Sequence, residues 1–254
     1  MKNPISVRIF LLAAWVILLV SCSSKEDRPA SFRVGQFFLN SEKATVTFYE
    51  GTNKAASLQL KYGQLSEYQN IAAKTYTIKI WTDGTLVLEK KLGMGRNGKY
   101  SLVLTGIPEK NQSVNKESFS NTVHSIVEGA EGITNNDFLP QLIIQDDFYI
   151  EENNKGKVSM TNLLPGALPV AISFVNDQKE IKLDATGYPE TSKLKVIETG
   201  IYDVQLHLNG NPQATAIGRD TIEDGVLYSL YVIPDPDKYV TNPRLVIGKY
   251  RKPR

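Results

Sequence analysis

Two segments of this chain, 126 residues apart, carry the same strand-and-turn pattern. Tyr76 opens an alternating run that ends at Asp83-Gly84, and Tyr202 opens one that ends at Asn209-Gly210. Asp-Gly and Asn-Gly tolerate the positive φ angles of a type I′ turn, so each segment predicts the same β-hairpin. A chain that repeats such a unit is expected to contain two copies of one β domain.

Further matches extend the repeat in both directions. They pair Lys99–Leu102 with Leu227–Leu230 at a spacing of 128, Tyr62-Gly63 with Thr186-Gly187 at a spacing of 124, and Gln141–Ile144 with Arg244–Ile247 at a shorter spacing. The shorter spacing predicts an insertion in the first copy, at about residues 108–139. Long excursions from a compact sandwich are frequent binding sites, although a tolerated surface loop explains the segment as well.

Apolar and polar residues alternate through most of the chain after residue 30. Ala44–Tyr49, Thr75–Trp81 and Tyr202–Leu208 have a period of two and are rich in β-branched and aromatic residues. The pattern predicts an all-β protein with two tandem immunoglobulin-like antiparallel β-sandwich domains, at 31–152 and 153–254, each of about seven strands. Four tyrosines fall on the predicted inner faces and are assigned to the core: Tyr76, Tyr100, Tyr202 and Tyr228.

Three segments also carry a family resemblance: Tyr62–Tyr68, Ala72–Thr77 and Gly98–Gly106. They look like an uncharacterised family of β-sandwich domains, a domain of unknown function found in tandem on bacterial envelope lipoproteins of Bacteroidota type. The resemblance implies tandem Ig-like domains without an assigned activity. The family pattern prefers glycine where Lys74 stands. The second copy has that glycine, in Thr199–Tyr202, but lacks the tyrosine-rich run of the first copy.

The first 22 residues have the layout of a secretory signal. Two basic residues precede an uncharged apolar run, Ile9–Val20, which is too short to span a membrane. The ending Leu19–Cys22 resembles the lipobox of bacterial lipoproteins, and this resemblance implies cleavage before the cysteine and acylation of its thiol. We therefore expect a signal peptide at 1–21 and a lipidated flexible tether at 22–30. The expected location is the outer membrane of a bacterial envelope, facing either the periplasm or the cell surface.

The balance of charge excludes one class of partner. Removal of residues 1–21 takes away two of the 29 basic residues and none of the 27 acidic ones, which leaves a balanced mature chain. A nucleic-acid partner requires a positive field that such a chain lacks. The basic cluster Lys249–Arg254 is interpreted as a solvated tail, and membrane attachment is expected through the lipid on Cys22.

Residues that could support catalysis or metal binding are sparse. His124 and His207 are the only histidines, and neither belongs to a hydrolase motif. Cys22 is the only cysteine, so the mature chain has no other thiolate for zinc. Asp146-Asp147 with Glu151-Glu152 is the best calcium candidate, but its spacing matches no calcium loop, and solvated acids are expected there. We predict no catalytic residue, no metal and no cofactor.

Aromatic residues on the polar strand faces are the remaining candidates for a site. Trp81 points away from the predicted core just before a hairpin turn. There it can stack on a sugar ring, anchor a partner or pack against a neighbouring domain. Tyr49, at the end of its strand, and His124, in the insertion, complete the candidate ligand-binding residues.

These observations favour a lipid-anchored, non-enzymatic binding or structural module whose partner is a glycan or another envelope protein. One alternative is a glycan-active enzyme, or an accessory subunit of one, with a carboxylate-lined cleft between the two domains. A further alternative is a structural spacer that lifts another component off the membrane.

Overall fold

The computed structural model describes the following residues: 28–108, 138–177, 179–208, 214–236 and 239–252. Within these ranges the chain forms β-strands and no helix, which confirms the all-β prediction. This part of the chain accordingly contains no helix that is long and apolar enough to cross a membrane.

The first half of the chain contributes nine strands: β1 (Ala30–Phe38), β2 (Lys43–Glu50), β3 (Asn53–Lys61), β4 (Gln64–Leu65), β5 (Gln69–Ile71), β6 (Thr75–Thr82), β7 (Thr85–Gly93), β8 (Lys99–Gly106) and β9 (Gln141–Asp146). They form two sheets. Sheet A has the order β4-β1-β8-β9, with β5 also paired to β1, and sheet B has the order β3-β2-β6-β7. Together these sheets make the first sandwich.

The second half contributes eight strands: β10 (Lys155–Asn162), β11 (Val170–Val175), β12 (Glu180–Lys182), β13 (Lys195–Glu198), β14 (Gly200–Leu208), β15 (Thr215–Ile222), β16 (Val226–Asp235) and β17 (Tyr239–Arg251). Sheet C has the order β13-β10-β16-β17, and sheet D has the order β12-β11-β14-β15. The second sandwich therefore repeats the strand order of the first. The predicted boundary between residues 152 and 153 lies in the segment that joins β9 to β10.

One pair of strands in each sandwich is parallel, which the prediction of antiparallel sandwiches did not include. β1 pairs with β8, and β10 pairs with β16, in parallel registers. The other described strand pairs are antiparallel. The path of the chain explains the exception. The connection between β1 and β8 comprises β2 to β7 and includes all four strands of sheet B, and a crossover of this length permits parallel pairing where a short hairpin does not.

Each sandwich packs an apolar core between its two sheets. Tyr76 and Tyr202 are buried there, and each donates its hydroxyl to the carbonyl four residues earlier, at 2.9 and 3.1 Å. Tyr100 and Tyr228 each accept a hydrogen bond from the amide five residues earlier, at 3.0 and 2.8 Å. Tyr228 is buried as predicted, whereas Tyr100 is half-buried and packs at the rim of its core.

The strand registers show which residues correspond in the two sandwiches. Leu102 pairs with Ile144 in sheet A, and Leu230 pairs with Ile247 in sheet C. Both predicted matches that contain these residues are therefore confirmed. The equal registers also mean that corresponding side chains point to corresponding faces.

One predicted match is wrong. Leu65 pairs with Gly35 of β1, and Thr191 forms a bridge to Thr161, the corresponding residue of β10. These two residues are 126 apart, so Tyr62 corresponds to Tyr188, and the pairing of Tyr62-Gly63 with Thr186-Gly187 is two residues out of register. The error arose because this turn contains no alternating run that would fix the alignment.

The two sandwiches contact each other through the outer faces of sheets A and C. A third apolar cluster lies at this junction: Phe37, Val103, Leu163, Tyr231 and Ile233, with Tyr62, Leu65, Ile143 and Val246 packed against them. Tyr62 donates its hydroxyl to the Pro234 carbonyl at 2.8 Å. The hydroxyl of the corresponding Tyr188 lies 3.3 Å from Thr105 Oγ1. Corresponding tyrosines thus cross the junction in opposite directions.

Several predicted features fall wholly or partly outside the described residues. They are the signal peptide, Cys22, His124 and the Asn209-Gly210 turn. The ends of the predicted insertion are described: the Ile107 amide donates to the Phe138 carbonyl at 2.8 Å. These two ends are therefore neighbours at the edge of the first sandwich.

Candidate functional site

Two of the predicted site residues share the outer face of sheet B. The buried residues of β6 alternate with half-buried ones, and Trp81 is one of the half-buried, outward-facing residues. Tyr49 is half-buried on the neighbouring strand β2. Trp81 pairs with Thr45, and Tyr49 pairs with Thr77. The two aromatic residues are therefore four positions apart along the strands, or about 13 Å.

Lys79 lies between the two aromatic residues on the same face. Its Nζ is 5.8 Å from the centre of the Tyr49 ring and 3.4 Å from Glu89 Oε2. We call Trp81, Lys79 and Tyr49 the outer-face row. The row combines apolar ring faces, which can stack on a flat ligand, with an ammonium and a phenol that can form hydrogen bonds.

The row belongs to the first sandwich alone. At a spacing of 126, the corresponding residues of sheet D are His207, Gln205 and Val175, and the pairing of Ala171 with His207 reproduces that of Thr45 with Trp81. Sheet D thus has the same strands without a tryptophan or tyrosine at these three positions. The strand order of the sandwich thus forms with either set of side chains on this face.

A second cluster of polar side chains is buried at the junction of the sandwiches. Arg33 and Asp147 are 2 % and 3 % exposed, and Arg33 Nη2 lies 3.9 Å from Asp147 Oδ1. Ser101 joins them, because it accepts a hydrogen bond from Arg33 Nε at 2.7 Å and donates one to Asp147 Oδ2 at 2.6 Å. Arg33 Nη2 also donates to Ser229 Oγ of the second sandwich, at 3.1 Å.

Tyr68 completes the environment of Asp147. Its hydroxyl donates to Asp147 Oδ2 at 2.7 Å, and the guanidinium of Arg33 lies 4.8 Å from its ring centre. Burial raises the pKa of Asp147, although Arg33 and the two hydrogen bonds to the carboxylate oppose the rise. Burial also raises the pKa of Tyr68. The cluster reaches the second sandwich through the hydrogen bond from Arg33 to Ser229 and therefore links the two sandwiches.

Arg33 and Tyr68 are not among the site residues predicted from the sequence. A signal for Arg33 exists in the sequence, since it is a lone charge within the otherwise uncharged run of β1. A charge at such a position is expected to have a buried partner. Nothing in the sequence indicates that the partner is Asp147, which follows 114 residues later.

A groove of about 230 Å³ opens next to this cluster, between β9 and the second sandwich. The carboxylates that line it are Asp146 and Asp147, which are adjacent in the chain. Asp147 is already bound by Ser101 and Tyr68. Glycosidase chemistry requires two carboxyl groups on opposite sides of the scissile bond. The groove therefore does not provide the carboxylate-lined cleft of the enzyme alternative.

The histidine in the described part of the chain lies beside a serine. His207 Nε2 is 2.7 Å from Ser173 Oγ and 3.7 Å from Glu180 Oε1. In a catalytic triad the serine and the carboxylate contact different ring nitrogens, whereas here both contact Nε2. Ser173 is also fully buried. Burial and the nearby Lys182 lower the pKa of His207. The pair is a structural contact on the outer side of sheet D.

The four acids considered as a calcium candidate, Asp146-Asp147 and Glu151-Glu152, do not come together as a metal site. No group of three or more metal-ligating side chains is present among the described residues. Asp147 belongs to the buried cluster, and Glu152 forms ion pairs with Lys155 at 3.3 Å and Lys157 at 3.0 Å. These two lysines hold the pKa of Glu152 below its usual range. Asp147 and Glu152 are therefore already engaged within the protein, and the other two acids of the candidate are exposed, as predicted.

Comparisons with known proteins yield only distant likenesses. No protein-family model matches the chain, so the family resemblance stays a prediction, and no curated protein matches it. Among solved structures, a proposed cell adhesion protein from Bacteroides uniformis ATCC 8492 is 9% identical with a TM-score of 0.28, covering 89% of this chain and 99% of that chain. One from Bacteroides ovatus ATCC 8483 is 10% identical with a TM-score of 0.25, covering 88% and 96%.

A leucine-rich repeat protein from Bacteroides thetaiotaomicron VPI-5482 is 10% identical, with a TM-score of 0.23 and 84% of this chain covered. The chain spans about a quarter of that protein's length, since the match covers 26% of it. TM-scores this low carry no argument about the function of the chain, which must be inferred from its own residues.

Proposed function

We propose that this protein is a lipid-anchored envelope protein that binds a glycan without transforming it, and that the outer-face row is its binding surface. The observation that carries the proposal is the presence of Trp81, Lys79 and Tyr49 on one face of sheet B, when the corresponding face of sheet D has no tryptophan, tyrosine or lysine at these positions. The same strand arrangement thus forms in sheet D without the Trp81 and Tyr49 side chains.

The chemistry of the row suits a sugar chain. The apolar face of a pyranose ring stacks on an indole or phenol ring, and its hydroxyls accept hydrogen bonds from an ammonium. Lys79 is held by Glu89 and lies close to the Tyr49 ring, which limits the freedom that binding would otherwise remove. The separation of about 13 Å between Trp81 and Tyr49 favours a ligand of more than one ring.

The contacts between the two sandwiches support a role in displaying the outer-face row to a ligand. The buried Arg33–Asp147 cluster and the apolar cluster beside it hold the two sandwiches together. A rigid pair of sandwiches at the end of a tether would display the row away from the membrane surface. A binding surface on a rigid support also loses little entropy on binding.

A glycan array tests the binding proposal with the chain from residue 22 onward, which contains every described residue. We expect retention on a subset of glycans, and we expect Trp81→Ala to weaken it by about tenfold or more without unfolding the protein. The matched control is Ile201→Ala on sheet D, where the side chain is 60% exposed. Binding to envelope protein extracts alone would instead identify a protein partner, and loss of retained sugar would identify an enzyme.

The lipid anchor has a separate test. Labelled fatty acid fed to cells is expected to appear on the wild-type protein and to be lost in Cys22→Ser. Labelling that persists in the variant would refute the anchor and leave the binding proposal unaffected.

A further inference from the structure

The groove at the junction is built from both sandwiches. β9 and the residues after it provide one wall, and the second sandwich provides the other, with Ser159, Thr191, Leu194 and Leu227 among the lining residues. Two apolar side chains in this lining are open to solvent: Phe148 is 69% exposed and Leu194 is 43% exposed. Ligand sites occur preferentially at such domain interfaces.

The polar wall of the groove is fixed before any ligand arrives. Gln145 Nε2 donates to Thr161 Oγ1 at 2.7 Å and to Thr191 Oγ1 at 2.9 Å. Gln145 Oε1 accepts a hydrogen bond from the Tyr231 hydroxyl at 3.0 Å. Gln145 is thus held by three hydrogen bonds to residues of the second sandwich. A ligand that entered the groove would meet hydroxyls whose positions are already set.

The mouth of the groove pairs an acceptor with an aromatic ring. Asp146 Oδ1 accepts a hydrogen bond from the Phe148 amide at 3.0 Å, which fixes the carboxylate next to the exposed ring. Lys252 Nζ lies 5.2 Å from the centre of the Phe148 ring. A carboxylate, hydroxyls and an exposed phenyl ring within one small groove match the hydroxyls and the apolar face of a sugar ring.

We propose that this groove binds a single pyranose ring at the end of a neutral glycan. The carboxylates of Asp146 and Asp147 disfavour an anionic ligand, and the hydroxyls of Ser159 and Thr191 disfavour a purely apolar one. The volume of about 230 Å³ is below the range of about 300–1,000 Å³ that is usual for larger ligands, so one ring is the appropriate size. The groove lies on the junction, away from sheet B, and the proposal does not rest on the outer-face row.

Methyl-group NMR of the chain from residue 22 onward tests the proposal. The probes are the methyl glycosides of glucose, galactose, mannose and N-acetylglucosamine, titrated to about 50 mM because a single ring binds weakly. We expect saturable shifts of the Leu194 and Leu227 methyls with at least one probe. Phe148→Ala and Asp146→Asn are each expected to weaken that binding by about fivefold or more.

Two control variants show whether the shifts come from binding in the groove. Leu168→Ala removes an apolar side chain that is 63% exposed and does not line the groove, and it is expected to leave the shifts unchanged. Trp81→Ala is expected to leave them unchanged as well, so a failure of the outer-face row would not affect this result. The proposal is overturned by the absence of saturable shifts with all four probes, or by equal binding in Phe148→Ala. Equally strong shifts with cyclohexanol would also overturn it.

Discussion

Ser66 and Ser192 make the same hydrogen bonds in the two sandwiches. The Val34 amide donates to Ser66 Oγ at 2.9 Å, and the Met160 amide donates to Ser192 Oγ at 2.9 Å. Each serine amide also returns a hydrogen bond to the carbonyl of the same residue, at 2.8 and 2.7 Å. The two serines therefore complete the hydrogen bonding of β1 and β10 at places where the neighbouring strand is interrupted.

Ser66→Ala and Ser192→Ala are each expected to destabilise the protein by about 1–3 kcal/mol. Val34 and Met160 are fully buried, and loss of the hydroxyl leaves a buried amide without its acceptor. Urea unfolding at pH 7 measures the effect. Ser31→Ala is the control, because it removes an exposed hydrogen bond to Asn70 and is expected to cost less than about 0.5 kcal/mol. Equal effects of all three variants would contradict the prediction.

Arg33→Met is expected to destabilise the protein by about 3–5 kcal/mol. The substitution keeps an apolar stem but leaves Asp147 buried beside the second sandwich without its guanidinium partner. The double variant with Asp147→Asn removes that uncompensated charge and is expected to be more stable than Arg33→Met alone. Urea unfolding of the single and double variants measures the coupling.

Arg219→Met is the matched control for Arg33. Arg219 forms two hydrogen bonds to Asp203, at 2.7 and 3.3 Å, but its side chain is 69% exposed. Its loss is expected to have a much smaller effect than the loss of Arg33, since water screens an exposed pair. If Arg33→Met lowered the free energy of unfolding no more than Arg219→Met, the buried cluster would not stabilise the junction of the two sandwiches.

The alternating pattern predicted the sandwiches because it is a local property. Tyr76 and Tyr202 each begin a run of period two, and the side chains of such a run face the core at every second residue. The same rule placed Trp81 on the outer face. It also placed Tyr49 on the polar face of its own strand, whereas the pairing of β2 with β6, which brings both residues onto one face of one sheet, is seen only in the structure.

The junction was harder to predict, because its partners are distant in the chain. The sequence feature that indicates the junction is a strand that is apolar on both faces. Phe37 and Phe38 are adjacent in β1, and β16 is buried almost throughout. Strands buried on both faces give continuous apolar runs. This signal predicts that sheets A and C are covered, but it does not identify what covers them. The pairing of Arg33 with Asp147 can be seen only in the three-dimensional structure.

Acidification is expected to favour the wild type over Asp147→Asn. Burial raises the pKa of Asp147 in the folded protein, so between that pKa and the usual carboxyl range the folded state binds more protons than the unfolded state. The contribution of this group to stability therefore increases as the pH falls through that window. Asparagine does not titrate, and the other acids are common to both proteins. Urea unfolding at pH 7 and at about pH 4.5 measures the change. A difference that stayed constant or reversed would contradict the assigned direction.

Gly248→Ala is expected to loosen the junction. A Cβ at this position would lie 2.5 Å from Arg33 Nη1 and 2.6 Å from Leu65 Cδ2, so both side chains of the first sandwich would have to move. We expect a loss of about 1–3 kcal/mol. Trp81 is the sole tryptophan after residue 22, and its fluorescence reports on the first sandwich alone. Circular dichroism reports on both sandwiches.

In the wild type these two signals are expected to change together during urea unfolding, because the junction couples the sandwiches. In Gly248→Ala they are expected to separate. Gly93→Ala is the control, since its Cβ would meet only Thr75 Oγ1 at 3.8 Å, an ordinary contact in sheet B. Coincident transitions in Gly248→Ala at wild-type stability would show that the close approach of Gly248 to Arg33 is not needed for the coupling.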